Sequence, residues 1–217
     1  MNCSVVVAAV GAVDMDGIAG SGGVRVSWHD LGVPAPGDGR TFRAVFGRSD
    51  ETFRRLDVAS RTLVLACEAL ALPSVLPPER RDETALVVET TTGCLDADLQ
   101  FAASLAAAMH DAPIFPYTLP STCLGEVALR HGLRGISVCL SVAPAARGAA
   151  LAEATRLLTN GEAPAVVVAS VDVLVRPDAR TPRECRAVAA LLSTSSSGSR
   201  AVTTAPLAWS SLHEAAR

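Results

Sequence analysis

The side chains in this 217-residue chain that could do chemistry are its six cysteines, four histidines and a few isolated acids. The cysteines are Cys3, Cys67, Cys94, Cys123, Cys139 and Cys185. Zinc sites and disulfide frameworks space such residues in close pairs, and no C-x-x-C pair occurs here. The reading is therefore free, mostly buried thiols in a reducing cytoplasm, with no metal and no cofactor. Of the histidines, His131 reads as a helix-end residue, and His29, His110 and His213 as surface positions. Asp14 and Asp16 could hold an ion, but aspartate in a loop more often caps or turns the chain. Gly20-Ser21-Gly22-Gly23 could cradle a phosphate, yet no Lys-Ser/Thr follows and no helix opens there, so a flexible loop is expected. Glu89 and Asp172 fall near strand ends, where α/β sheets place ligands. Neither has a paired acid at a known spacing, so both read as structural.

The elements that would position these residues follow from hydrophobic patterning. Hydrophobic residues make up 49% of the chain and aromatics only 4%, so a core must be built from Ala, Val and Leu. Mean hydropathy is +0.33, but no stretch of about 18 apolar residues runs free of charge and proline, so no membrane span is expected. Net charge is -3. No Lys/Arg block stands out, which argues against nucleic acid as a partner. The first residues lack the basic start of a signal peptide and read as the approach to a buried strand.

That strand is expected over residues 5–10. Residues 11–47 are rich in Gly, Pro and polar residues and read as a long loop, flexible over 17–39. Phe53, Leu56, Ala59, Leu63, Ala66, Cys67 and Leu70 recur at three- and four-residue steps, which predicts one amphipathic helix over 50–72. Further strands are expected over 85–88, 136–142 and 165–169. Helices are expected over 96–108, 123–131 and 146–158, the last ending on Asn160-Gly161. Residues 193–199 read as a Ser-rich linker and 201–209 as a final edge strand. Apolar strands alternating with helices imply an α/β layer with helices on both faces.

Three blocks carry a resemblance beyond that class. Phe53-Arg54-Arg55-Leu56-Asp57 and the helix after it resemble the R-x-D helix of β-ketoacyl synthases. Residues 87–93, with Asp96 and Asp98, are similar to that family's second strand and glycine turn. Phe115-Pro116-Tyr117-Thr118-Leu119-Pro120 leads to Gly125-Glu126-Val127-Ala128 and to Arg130-His131-Gly132-Leu133-Arg134-Gly135. This resembles the family's F-P-x-x-L-P-N stretch and the G-x-x-G that precedes its nucleophile strand. Downstream, Glu153-Ala154, Arg156-Leu157 and Gly161-Glu162-Ala163 are similar to the nucleophile helix and its G-E-A-D end. The resemblance runs from Cys3 to about His213. It implies the N-terminal half of a thiolase-like fold, a mixed five-stranded sheet with helices on both faces. Residues 1–217 would form one domain, without the C-terminal half that supplies the family's catalytic histidines.

Such synthases carry a cysteine in an A-C-x-S elbow at a helix N-terminus, where the dipole and backbone N–H groups activate it. Counted without gaps from Gly135 to Gly161, the elbow falls on Ala143-Pro144-Ala145-Ala146. Pro144 therefore occupies the nucleophile position, with neither a thiol nor a backbone N–H. Cys139 lies within the strand and Cys123 before it, so neither is placed to substitute, and no catalytic residue is assigned.

The resemblance then implies a chain-length-factor-like accessory subunit in fatty acid, polyketide or aryl-polyene-type biosynthesis. It would pair with an active ketosynthase, or with itself, across the strand at 136–142, and act on chains carried by an acyl carrier protein. The alternatives are half of a split 3-oxoacyl-[acyl-carrier-protein] synthase and a degenerate domain that only binds.

Overall fold

A computed structural model describes residues 4–32, 38–175, 182–195 and 207–217. The chain opens with β1 (Ser4–Val13), β2 (Gly17–Gly20) and β3 (Arg25–Ser27), followed by α1 (Trp28–Leu31), α2 (Thr41–Phe46), α3 (Glu51–Arg55) and α4 (Val58–Ala69). Then come α5 (Leu72–Val75), α6 (Pro78–Arg81), β4 (Ala85–Thr90) and α7 (Leu95–Ala106). A 3₁₀ segment over Ala112–Thr118 leads into α8 (Thr122–His131) and β5 (Ser137–Ser141). A 3₁₀ turn, Pro144–Ala146, precedes α9 (Ala149–Thr159), β6 (Ala165–Val175), β7 (Pro182–Ser195) and α10 (Trp209–Ala216).

The strands form one mixed sheet in the order β3-β2-β1-β7-β6-β4-β5. β4 runs parallel to β5 and β6, and the other pairings are antiparallel. Strand alternation splits the core into two layers. Leu86, Val88, Val167, Ala169, Ala189 and Leu191 face the layer holding α4 and α8. Ala85, Val87, Val166, Val168, Ala190 and Leu192 face the layer holding α9 and α10. The expected α/β class with helices on both faces is what the chain adopts.

The sheet has seven strands rather than five. Residues 11–32 are not a loop: β1 runs on to Val13 and pairs with β2, which pairs with β3. The glycines here serve packing. A Cβ on Gly11 would lie 2.2 Å from the carbonyl oxygen of Ala66, and one on Gly20 2.4 Å from that of Ala69. α4 can therefore lie close against β1 and β2 only because these positions carry no side chain. The expected flexible loop at residues 20–23 is a fixed turn, since Ser21 Oγ accepts from Val10 N (2.9 Å) and Gly22 N donates to Ala69 O (3.0 Å).

The single helix expected over 50–72 is broken twice. Leu56 is extended, and Asp57 caps α4 by accepting from Ser60 N at 3.0 Å. Ala71 adopts a left-handed backbone (φ 53) between α4 and α5. The segment Val58–Val75 has a mean hydropathy of 1.4 and is long and apolar enough to cross a membrane. It crosses this second break, and α4 is packed between the sheet and α8 as a core element.

β7 falls where residues 193–199 were expected to begin a linker. Of the expected edge strand over 201–209, residues 201–206 lie outside the described set, and Trp209 opens a helix instead.

Candidate functional site

β5 is an edge strand, paired on one side with β4 and, among the described residues, with nothing on the other. Its C-terminal end leads into the elbow. Val142 N donates to Thr90 O (2.9 Å), which holds the chain beside the end of β4. Ala143 is extended (φ −67, ψ 151), the conformation favoured before proline. Pro144 opens the 3₁₀ turn, closed by Ala146 N donating to Ala143 O at 2.8 Å. Gly148 then takes a left-handed backbone (φ 99), and α9 begins at Ala149. The strand–elbow–helix expected at Pro144 is present. The helix starts later than the expected residue 146, and Pro144 sits exposed on the separate turn.

The start of α9 already holds a carboxylate. Glu89, on β4, is 1% exposed. Its oxygens accept from Gly148 N (3.0 and 3.1 Å) and Ala150 N (2.8 Å). Trp209 Nε1 on α10 donates to the same carboxylate at 2.6 Å. A helix N-terminus is a ready anion site, through its unpaired N–H groups and its dipole. Here the chain's own side chain fills it.

A second buried carboxylate fixes the other side of the elbow. Asp172, 5% exposed, accepts from Thr91 N (2.6 Å), Thr92 N (3.1 Å) and Thr91 Oγ1 (2.9 Å). It is also paired with Arg147 of the elbow. Glu89 and Asp172, both expected to be structural, each accept from backbone amides. Arg147 and Trp209, which complete the two clusters, were not singled out in the sequence.

The described thiols are all pushed above the ordinary cysteine range, chiefly by burial. For Cys94, at the start of α7, burial and then its hydrogen bond to Asp98 raise the pKa to about 11. Its Sγ also donates to Thr118 O at 3.1 Å. Cys185 is raised to about 12 by burial, with its Sγ 2.8 Å from Thr62 Oγ1. Cys67, Cys123 and Cys139 are raised for the same reason. Cys139 stands mid-strand in β5, and Cys123 lies on α8 donating to Pro120 O (3.2 Å). Nucleophilic thiols need the opposite shift. Cys3 lies outside the described residues.

The histidines divide differently from expectation. His29 and His110 are exposed. His131 ends α8, where burial and then repulsion by Arg130 lower its pKa to about 4. His213, expected at the surface, is half-buried: its side chain is 16% exposed and lies 3.0 Å from Asp14 Oδ2. Asp14 turns the chain by accepting from Asp16 N and Gly17 N, and it also pairs with Arg217. A cavity of about 360 Å³ lies beside this cluster, at the opposite edge of the sheet from the elbow, lined by Asp14, Asp16, Arg25, Asp30 and Arg217 among others. Among the described residues no group of His, Cys, Asp and Glu is placed to hold a metal.

Comparison with known proteins agrees with this architecture. Residues 30–202 match the family model "Beta-ketoacyl synthase, N-terminal domain". No curated protein matches the chain. Among solved structures, the chain is similar to "The ishigamide ketosynthase/chain length factor", with a TM-score of 0.67 and 18% identity, covering 91% of this chain and 64% of that one. It is similar to a chain of the ketosynthase ApeO in complex with its chain length factor ApeC from Xenorhabdus doucetiae (TM-score 0.62, 18% identity), covering 100% of this chain and 92% of that one. A third likeness is to the AntDE:AntF complex of a type II acyl-carrier protein with its ketosynthase (TM-score 0.61, 15% identity), covering 89% and 63%. At these identities the structures establish a shared fold. With the family match spanning most of its length, the chain belongs to the β-ketoacyl synthase N-terminal domain family.

Proposed function

We propose that this chain is a non-catalytic, chain-length-factor-like accessory subunit that pairs with an active ketosynthase in fatty acid, polyketide or aryl-polyene-type biosynthesis. Residues 1–217 act as one domain in a cytoplasmic assembly, and the growing chain is carried by an acyl carrier protein. The observation that carries the reading is the state of the elbow. Pro144 offers no nucleophile, and the amides at the start of α9 that could hold a thioester oxygen are taken by Glu89. The open edge of β5 supplies the pairing surface, since a strand edge left unpaired templates association with another chain. Exposed Arg40, Arg43, Arg54 and Arg55 on and beside α2 and α3 give an acidic carrier protein a complementary face.

Three measurements test this. Co-expression with an active ketosynthase from the source organism should give a complex that survives gel filtration, and removal of the chain should change product length. A chain that stays monomeric beside that ketosynthase, and whose loss leaves products unchanged, would sink the proposal. Incubation with an acyl thioester should leave the intact mass unchanged. A stable acyl adduct on any cysteine favours the split-synthase alternative instead. Pro144→Cys alone should also remain unacylated, because Glu89 still occupies the helix amides.

A further inference from the structure

The β2–β3 hairpin stands where a loop was expected, and it forms the base of the cavity of about 360 Å³ beside Asp14. Ala12, Ala19 and Arg25 are successive partners across β1, β2 and β3, so their side chains share one face of the sheet. Gly17, two residues before Ala19, lies on that face as well. α10 packs on the same face over β1 and β7, and its end at Arg217 lines the cavity. Past the end of α10, the sheet therefore offers a floor of small residues. Arg25 on β3 and Arg217 after α10 are among the walls.

The charges around this cavity are not all spent within the chain. Asp14 is saturated, since it accepts from two backbone amides, lies against His213 and pairs with Arg217. Arg217 is also 3.6 Å from Asp16, whose side chain is 86% exposed. Arg25 and Asp30 are both exposed, and among the described residues neither side chain has a hydrogen-bond or ion-pair partner. Once Asp14 and Arg217 are set aside as a pair, one cation, Arg25, and two carboxylates, Asp16 and Asp30, line the cavity. A lone anion drawn to Arg25 meets two acids, and a lone cation drawn to the acids meets Arg25. A molecule that carries one charge of each sign meets neither penalty. The volume is at the lower end for ligand cavities, which suits a molecule of dipeptide size.

We infer that this cavity binds a compact zwitterion, an amino acid or dipeptide, with its carboxylate on Arg25 and its ammonium group on Asp30 and Asp16. The site lies at the opposite edge of the sheet from β5, so it goes beyond the accessory-subunit reading and does not depend on it. Trp28 is placed to report its occupancy. The Trp28 indole Nε1 donates to Asp14 O (2.7 Å) and its amide donates to Asp16 O (3.1 Å), which ties the ring to the acidic turn in the cavity wall.

The probe is glycylglycine, titrated into the full chain, with acetate and ethylamine as single-charge controls. The chain has two tryptophans, so a nitrogen–proton correlation spectrum shows two indole signals, of which that of Trp28 is followed. That signal should move saturably with a Kd of about 1 mM or lower, and the controls should bind at least about tenfold more weakly. Arg25→Ala and Asp30→Asn should each weaken glycylglycine binding by about tenfold or more. Both variants should keep the wild-type unfolding midpoint, because both side chains are exposed. The inference is wrong if the Trp28 signal has not moved by about 50 mM glycylglycine, or if either substitution leaves the affinity within about twofold of wild type. Acetate or ethylamine binding as tightly as the dipeptide also overturns it.

Discussion

α4 and α7 are both twelve residues long and both apolar, yet eight residues of α4 are buried against two of α7. α4 has a side-chain cap from Asp57 and rests on glycine positions in β1 and β2. The N-cap of α7 is Cys94, whose side chain makes no capping hydrogen bond. The difference teaches that apolar content alone does not say what a helix packs against. α4 is committed to this chain's own sheet, whereas α7 keeps its apolar surface available.

The largest test of this contrast is Leu63→Ala in α4. Leu63 is fully buried, so the substitution should cost about 2–5 kcal/mol by urea denaturation. Acidification should come next, through α8, which packs on α4. The depressed pKa of His131 means that its contribution is fully present above its ordinary pKa of 6.5 and is lost as pH falls through 6.5 toward about 4. The unfolded chain binds the extra proton in that window, so stability should drop by about 2–3 kcal/mol. His131→Gln should flatten this part of the pH profile. Asp57→Ala, which removes the α4 cap, should cost about 1 kcal/mol. The smallest effect should be Leu99→Ala in α7, at about 0.5 kcal/mol or less. A cost for Leu99→Ala equal to that of Leu63→Ala would erase the contrast and show α7 to be packed within the chain.

Much of the sheet was legible because β4 and β6 open on continuous apolar runs, residues 85–88 and 165–169, as strands buried on both faces do. β7 was not, because a charged start at Glu184 and Arg186 and a serine-rich end disguise an alanine-rich centre. The β2–β3 hairpin was hidden because its glycines look like loop composition, while Gly20 makes room for α4. At the elbow, counting along the chain found Pro144. It could not bring Glu89 to the start of α9, because Glu89 lies 59 residues from Gly148 and 120 from Trp209. Contacts at such separations leave no local pattern. His213 was misread for the same reason, since its partner Asp14 is 199 residues away.

The pairing of β5 on one side only, among the described residues, has a consequence for the life of the chain in a cell. Until something lies along that strand, each newly made copy carries an adhesive rim that chaperones and proteases can find. Under the accessory-subunit proposal its abundance would be tied to the supply of the partner that occupies the rim, and surplus synthesis should be cleared rather than stored.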